Sequence, residues 1–177
     1  LASDDEGPAI RAGMAANLER RGGPSALLVT GADSRWAGQT LADIAGALGV
    51  SPVDAALAVV RDGDPSVASF VMDAGDIATF AMQPWVMTGS DGSDGHPRLY
   101  ATYPKAWQDL VGNGRLSAAA FVRRSSAQVA DTFGLCDRGH LRPGSRADLV
   151  VIDPADYRPR ATYEAPAVLA TGVRYAL

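Results

Sequence analysis

Apolar residues Ile10, Met14 and Leu18 fall four apart among polar neighbours, a spacing that predicts a helix over 9–21 closed by Gly22-Gly23-Pro24. The run Ala26-Leu27-Leu28-Val29-Thr30 is short and apolar, as a buried strand would be. Thr40 opens a second helix with Leu41, Ile44, Ala45 and Leu48 apolar and Gly49 as its stop. Ser51 and Pro52 suit the N-cap and first position of a third, which turns Val53, Ala56, Leu57 and Val60 inward and ends near Gly63. Val67–Met72 reads as a strand and Asp76–Met82 as a short helix. Val86–Thr88 completes an apolar run that stops at a Gly/Ser/Asp turn, the mark of a buried strand reaching the rim of a sheet. Strand and helix alternate, which predicts an α/β layer or barrel.

The pattern changes in the second half. Tyr100–Val111 is aromatic-rich and reads as a loop leading into a helix. Leu116–Ala130 predicts one helix, capped by Ser117, with Phe121, Val122, Val129 and Ala130 facing inward. Residues 134–144 are turn-rich, 147–154 form a strand, and 157–177 read as extended segments. The change places a boundary near Arg138, between an α/β part over 1–137 and part of a small β-domain over 138–177. The sequence shows no internal repeat.

Composition narrows the class. With 47% hydrophobic and 20% charged residues, the chain is globular and not disordered. A formal net charge of -4 without a long basic run argues against nucleic acid as a partner. No apolar stretch approaches the roughly 20 residues of a membrane span. Leu1–Glu6 has neither the basic start nor the apolar core of a signal peptide, and a lone Cys136 forms no intrachain disulfide, so the expected location is cytoplasmic. The chain starts without Met and ends in what reads as an interrupted strand, so the expectation is a piece of a longer protein.

The candidate chemistry sits in Met87-Thr88-Gly89-Ser90-Asp91-Gly92, followed by His96-Pro97-Arg98. In an α/β barrel the carboxyl ends of the strands carry the reactive groups, which makes Asp91 the first candidate. The plainer alternative is a turn aspartate bonded to its own backbone, which is the expectation for Asp94. His140 and Asp148 lie among turns and read as structural, and Cys136 has no neighbouring base. Met72 reads as a core methionine with pocket lining as its alternative. Trp36, Trp85 and Trp107 read as core or interface anchors.

The segments Gly89-Ser90-Asp91-Gly92, His96-Pro97-Arg98, Tyr103-Pro104, Phe133-Gly134-Leu135, Asp137-Arg138-Gly139, Pro143-Gly144 and Ala147–Pro154 together resemble the C-terminal part of the N-acyl-D-amino-acid deacylases (D-aminoacylases) of the amidohydrolase superfamily. Ala161–Pro166 and Gly172-Val173 resemble that family's closing segments, and the likeness runs from about residue 25 to the end. It implies an α/β fold: the C-terminal part of a metal-dependent (β/α)8 TIM-like barrel, plus part of a small β-domain. It also implies zinc or another divalent metal, and hydrolysis of the amide bond of a small-molecule N-acyl-D-amino acid.

By the same resemblance Asp91 takes a proton from water and passes it to the leaving amine. Arg98 pairs with the substrate carboxylate, and His96 is a second substrate-binding candidate whose alternative is a bond to its own loop. Asp91 is also the chain's one candidate for contact with the metal. The family's His-x-His and later metal-ligand histidines are absent, so the remaining ligands are expected outside this chain, and the isolated chain is expected to be inactive. Two expectations follow for partners: the missing N-terminal part of the enzyme, or self-association. Rival readings are a related amidohydrolase acting on a cyclic amide or dipeptide, and a non-catalytic scaffold that lacks the metal site.

Overall fold

The computed structural model describes residues 7–31 and 33–177; Leu1–Glu6, read above as no signal peptide, lie outside the described residues. Its contacts divide the chain into two compact units. One holds the described residues up to Asp73 together with Asp94–His96, and the other holds Ala74–Ser93 with Pro97–Leu177.

In the first unit, helix α1 (Gly7–Arg20) leads through a short turn of 3-10 helix to strand β1 (Leu27–Val29). Helix α2 (Leu41–Leu48) begins where its sequence demands. The Thr40 hydroxyl accepts from the Asp43 backbone N–H, and the Asp43 carboxylate accepts from the Thr40 N–H, so two helix-end donors are satisfied reciprocally. The helix closes on Gly49 in the left-handed conformation, and α3 (Pro52–Arg61) is capped by Ser51. Of the face expected for α3, Val53 and Ala56 pack partly buried against the core, but the face is not the whole of the contact. Ala55 and Val59 are buried while Val60 is exposed, because the contact with α1 and α2 lies one residue around the helix. Ile44, with 0% exposure, sits in a core shared with Val29, Leu41, Ala45, Ala55 and Val59.

Strand β2 (Val67–Ser69) is shorter than the expected Val67–Met72 and pairs antiparallel with β1, Leu28 opposite Ala68. Both strand pairs among the described residues are antiparallel, so the barrel itself is not seen in this chain.

The second unit opens with α4 (Ala74–Ala81). The strand expected at Val86–Thr88 does not form; the stretch is coil and half-buried, and no strand among the described residues lies beside it to complete a ladder. Arg98–Trp107 is helix α5, so the helix begins ahead of the loop that was expected to lead into one; Pro104 lies inside it, and it runs on into a π-turn over Gln108–Gly112. Trp107 explains this arrangement, since it is buried with its ring edge-on to Phe121 at 5.3 Å and to Tyr157 at 6.0 Å. Trp36 is also buried, whereas Trp85 is 67% exposed.

The single helix expected over 116–130 is two helices, α6 (Ala118–Ser125) and α7 (Ala127–Phe133). Ser117 caps the first as expected, and Phe121 and Ala130 are buried, but Val122 is exposed. The break lies at Ser126, whose backbone leaves the helical region and whose hydroxyl bonds back to the Val122 carbonyl at 2.9 Å.

Ion pairs lace the turn-rich segment that follows. Arg146 Nε donates to Asp137 at 2.7 Å, Arg138 pairs with Asp148, and His140 Nε2 lies 2.8 Å from Asp131 Oδ1. Asp148 therefore does tie this segment together, as expected. Strand β3 (Val150–Ile152) pairs antiparallel with β4 (Val173–Ala176), and Arg174 clamps the pair by donating to Asp153 at 2.7 Å.

Two measurements test this description. Replacing Ile44 with Ala should cost about 2–5 kcal/mol in a urea titration, the usual penalty for emptying a closed core site. The second concerns acid. Hydrogen bonds from His140, Arg146 and Arg174 hold the Asp131, Asp137 and Asp153 carboxyls below the ordinary aspartate value of 3.8. Carboxyls depressed in the folded state stabilise it above the unfolded value, and that contribution is lost as pH falls through the folded values. The urea midpoint should therefore hold steady from pH 6 to 5 and fall below about pH 3.8. The acid loss should be smaller in Arg146→Gln, and an equal loss in that variant would contradict the role given to the pair.

Candidate active site

Asp91 stands on a backbone that few residues tolerate. Its φ is +43°, in the left-handed region, where aspartate and asparagine are the usual non-glycine occupants. Its side chain is 90% exposed, so the turn presents the carboxylate to solvent instead of folding it into its own backbone. Gly92 lets the chain pass close to α5, since a Cβ there would come within 2.5 Å of Leu99 Cδ1.

Arg98, the first residue of α5, supplies the main contact. Its Nη2 lies 3.1 Å from Asp91 Oδ2 and donates to Ser93 Oγ at 3.3 Å. Further along the same helix, Tyr103 Oη donates to the Thr88 carbonyl at 3.3 Å. The structure thus brings Asp91 and Arg98 together, as an exposed carboxylate beside a half-buried guanidinium. Tyr163 also belongs to this neighbourhood. Burial pushes its hydroxyl pKa up, and the Arg98 guanidinium partly offsets the rise. Tyr163 lies in a segment that carried the family resemblance, but nothing in its local pattern marks it as a neighbour of Arg98.

His96 is half-buried and falls, with Asp94 and Gly95, in the first unit. There Gly95 has a φ of +70°, and a Cβ on it would lie 1.7 Å from the Thr30 carbonyl oxygen, which no side chain could relieve. His140 is engaged with Asp131, and Cys136 is exposed with its Sγ directed at the Gly134 carbonyl. Met72 is not a core methionine. It is 75% exposed and lines an open groove of about 490 Å³ with Phe70, Val71 and Glu19.

The arrangement offers one proton acceptor in water and one cation beside it. A guanidinium carries five N–H donors in a planar fork, enough to hold an incoming carboxylate as well as its present partners. It does not offer a metal centre. Among the described residues no three His, Cys, Asp or Glu side chains come together as ligands, and the group beside Asp91 is itself a cation.

The pattern of the amidohydrolase family matches residues 13–177. An N-acyl-D-glutamate deacylase of Alcaligenes xylosoxydans xylosoxydans is 34% identical over 145 residues, which is 79% of this chain and 29% of that protein. A D-aminoacylase of the same organism is 34% identical over 142 residues, 77% of this chain and 28% of the relative. The crystal structure of an N-acyl-D-glutamate deacylase from Bordetella bronchiseptica, complexed with zinc and a phosphonate mimic of the tetrahedral intermediate, superposes with a TM-score of 0.80. It is 29% identical in sequence and covers 90% of this chain and 34% of its own. The chain belongs to the amidohydrolase family. It spans under a third of the length of the curated relatives it matches.

The contact at Gly95 generates a stability test. Left-handed strain alone should cost Gly95→Ala about 1–3 kcal/mol, and the overlap with Thr30 adds to it. Gly89→Ala, where a Cβ meets nothing within 4 Å, should leave the thermal midpoint nearly unchanged. Similar midpoints for the two variants would contradict the packing described.

Proposed function

We propose that this chain is the C-terminal part of a longer amidohydrolase that cleaves the amide bond of N-acyl-D-amino acids. The observation that carries the reading is the Asp91–Arg98 pair, a solvent-facing carboxylate 3.1 Å from the guanidinium at the start of α5. The kinship with deacylases of N-acyl-D-amino acids supports the substrate class. In this reading the residues before Arg138 belong to the end of a (β/α)8 barrel and those after it to a small β-domain, to which β3 and β4 contribute. Exposed apolar side chains such as Phe80, Trp85, Phe133 and Tyr175 are covered by the rest of that polypeptide or by a second copy.

The reaction places two tasks on this chain. Arg98 receives the substrate carboxylate and orients the amide. Asp91 accepts a proton from the attacking water as the new carbon–oxygen bond forms. It then returns that proton to the amide nitrogen as the carbon–nitrogen bond breaks, releasing a carboxylate and an amino acid. A divalent metal, as in the zinc-bound relative, would need a set of ligands that does not come together among the described residues.

The test is kinetic and uses the full-length enzyme. Asp91→Asn should lower kcat by about 10²–10⁴-fold, the range expected for loss of a general base and acid. Arg98→Met should chiefly raise KM, by about tenfold to a hundredfold, for substrates with a free carboxylate. An Asn variant that turns over at the wild-type rate would end the proton-transfer assignment. A substrate panel of N-acyl-D- and N-acyl-L-amino acids, hydantoins and dipeptides decides the class. Turnover of hydantoins or dipeptides alone would transfer the reading to those substrates, and turnover of none would favour a scaffold.

A further inference from the structure

The stretch that delivers Asp91 has little backbone support of its own. Between α4 and Asp91, the Gln83 N–H donates to the Phe80 carbonyl at 3.0 Å and the Val86 N–H to the Gln83 carbonyl at 3.1 Å. Residues 82–92 belong to no strand. Several carbonyls of this stretch are instead taken by side chains from the helices that follow. Arg124 Nη1 donates to the Ala81 carbonyl at 2.7 Å, and Arg124 Nη2 donates to the Met82 carbonyl at 3.1 Å. Gln128 Nε2 donates to the Pro84 carbonyl at 2.9 Å, and Tyr103 to that of Thr88.

Arg124 holds the point where the stretch leaves α4. The last carbonyls of a helix have no partner within it and carry partial negative charge, so a cation that donates to two of them is favourably placed. One planar guanidinium serves two successive carbonyls at once, a match that the single ammonium of lysine does not reproduce. Packing alone does not fix this stretch. A cavity of about 210 Å³ lies against Val86, Met87, Thr88 and Gly89, with Phe121 and Arg124 on its wall. Loss of the fork would leave the backbone room to shift before it reached Asp91.

We propose that Arg124 is a positioning residue for Asp91: by clamping the Ala81 and Met82 carbonyls it sets where the 82–91 stretch departs from α4, and so where the Asp91 carboxylate stands. The inference rests on the reading of Asp91 as the proton-transfer group. Arg124 touches no substrate in this scheme and acts through backbone alone. A displacement of about 1 Å at a reacting group can cost about a hundredfold in rate, so the clamp is expected to be felt in turnover.

The experiment compares wild type, Arg124→Met, Arg124→Lys and Asp91→Asn in the full-length enzyme, with an N-acyl-D-amino acid as substrate and circular dichroism as the check on folding. Arg124→Met should lower kcat tenfold to a hundredfold while KM changes less than about threefold, because Arg98 still receives the carboxylate. Arg124→Lys should recover part of kcat, and millimolar guanidinium chloride should raise kcat of Arg124→Met but not of wild type. Should the Met variant fail to fold, the Lys variant carries the same split between kcat and KM. A folded Arg124→Met enzyme with wild-type kcat, beside an inactive Asp91→Asn, would overturn the positioning role and leave the reading of Asp91 standing. Wild-type turnover in Asp91→Asn would overturn both.

Discussion

The ion pair between Arg98 and Asp91 fastens the first turn of α5 to a stretch of chain that no strand of the described residues supports. Asp91 lies in the left-handed region, a conformation that persists only where neighbouring contacts hold it. The contacts are supplied unevenly. Arg98, itself donating to Ser93, holds the carboxylate side, Tyr103 holds the approaching backbone, and Arg124 with Gln128 holds its origin at the end of α4. Each is a directional bond, not broad apolar burial. Such an arrangement can fix a reactive group in water, where a packed core could not follow it.

The parts of the fold legible in the sequence are those decided locally. Thr40 with Asp43, Ser51 before Pro52, and Ser117 before its helix all cap as their types and spacings demand, because a cap involves only residues three apart. Two of the elements that failed depended on remote partners. Val86–Thr88 has a strand's composition and lacks a neighbouring strand, and composition does not report the neighbour. Tyr100–Val111 carries a proline and several aromatics, poor local signals for a helix, yet burying Trp107 against Phe121 and Tyr157 overrides them. The break between α6 and α7 turns on one hydroxyl at Ser126, in a run whose apolar spacing continues across it.

The candidate site divides along the same line. Asp91 and Arg98 could be singled out from the glycine-flanked turn and the motif after it, and the structure sets them in contact. Tyr163 and Arg124 could not, since the first is remote in sequence from Arg98 and the second is one of two adjacent arginines with no local mark of difference. Only their surroundings separate Arg124, which is half-buried with its fork on two carbonyls, from the exposed Arg123.

The left-handed backbone at position 91 also decides how substitutions there should be interpreted. Alanine, valine or leucine would disturb the shape of the turn as well as its chemistry, so a scan with those residues would confuse two kinds of damage. Asparagine adopts the same conformation with ease and differs from aspartate by a single functional group. It keeps the backbone conformation of the turn, and what it removes is the charge and basicity of the carboxylate, the attraction to Arg98 included.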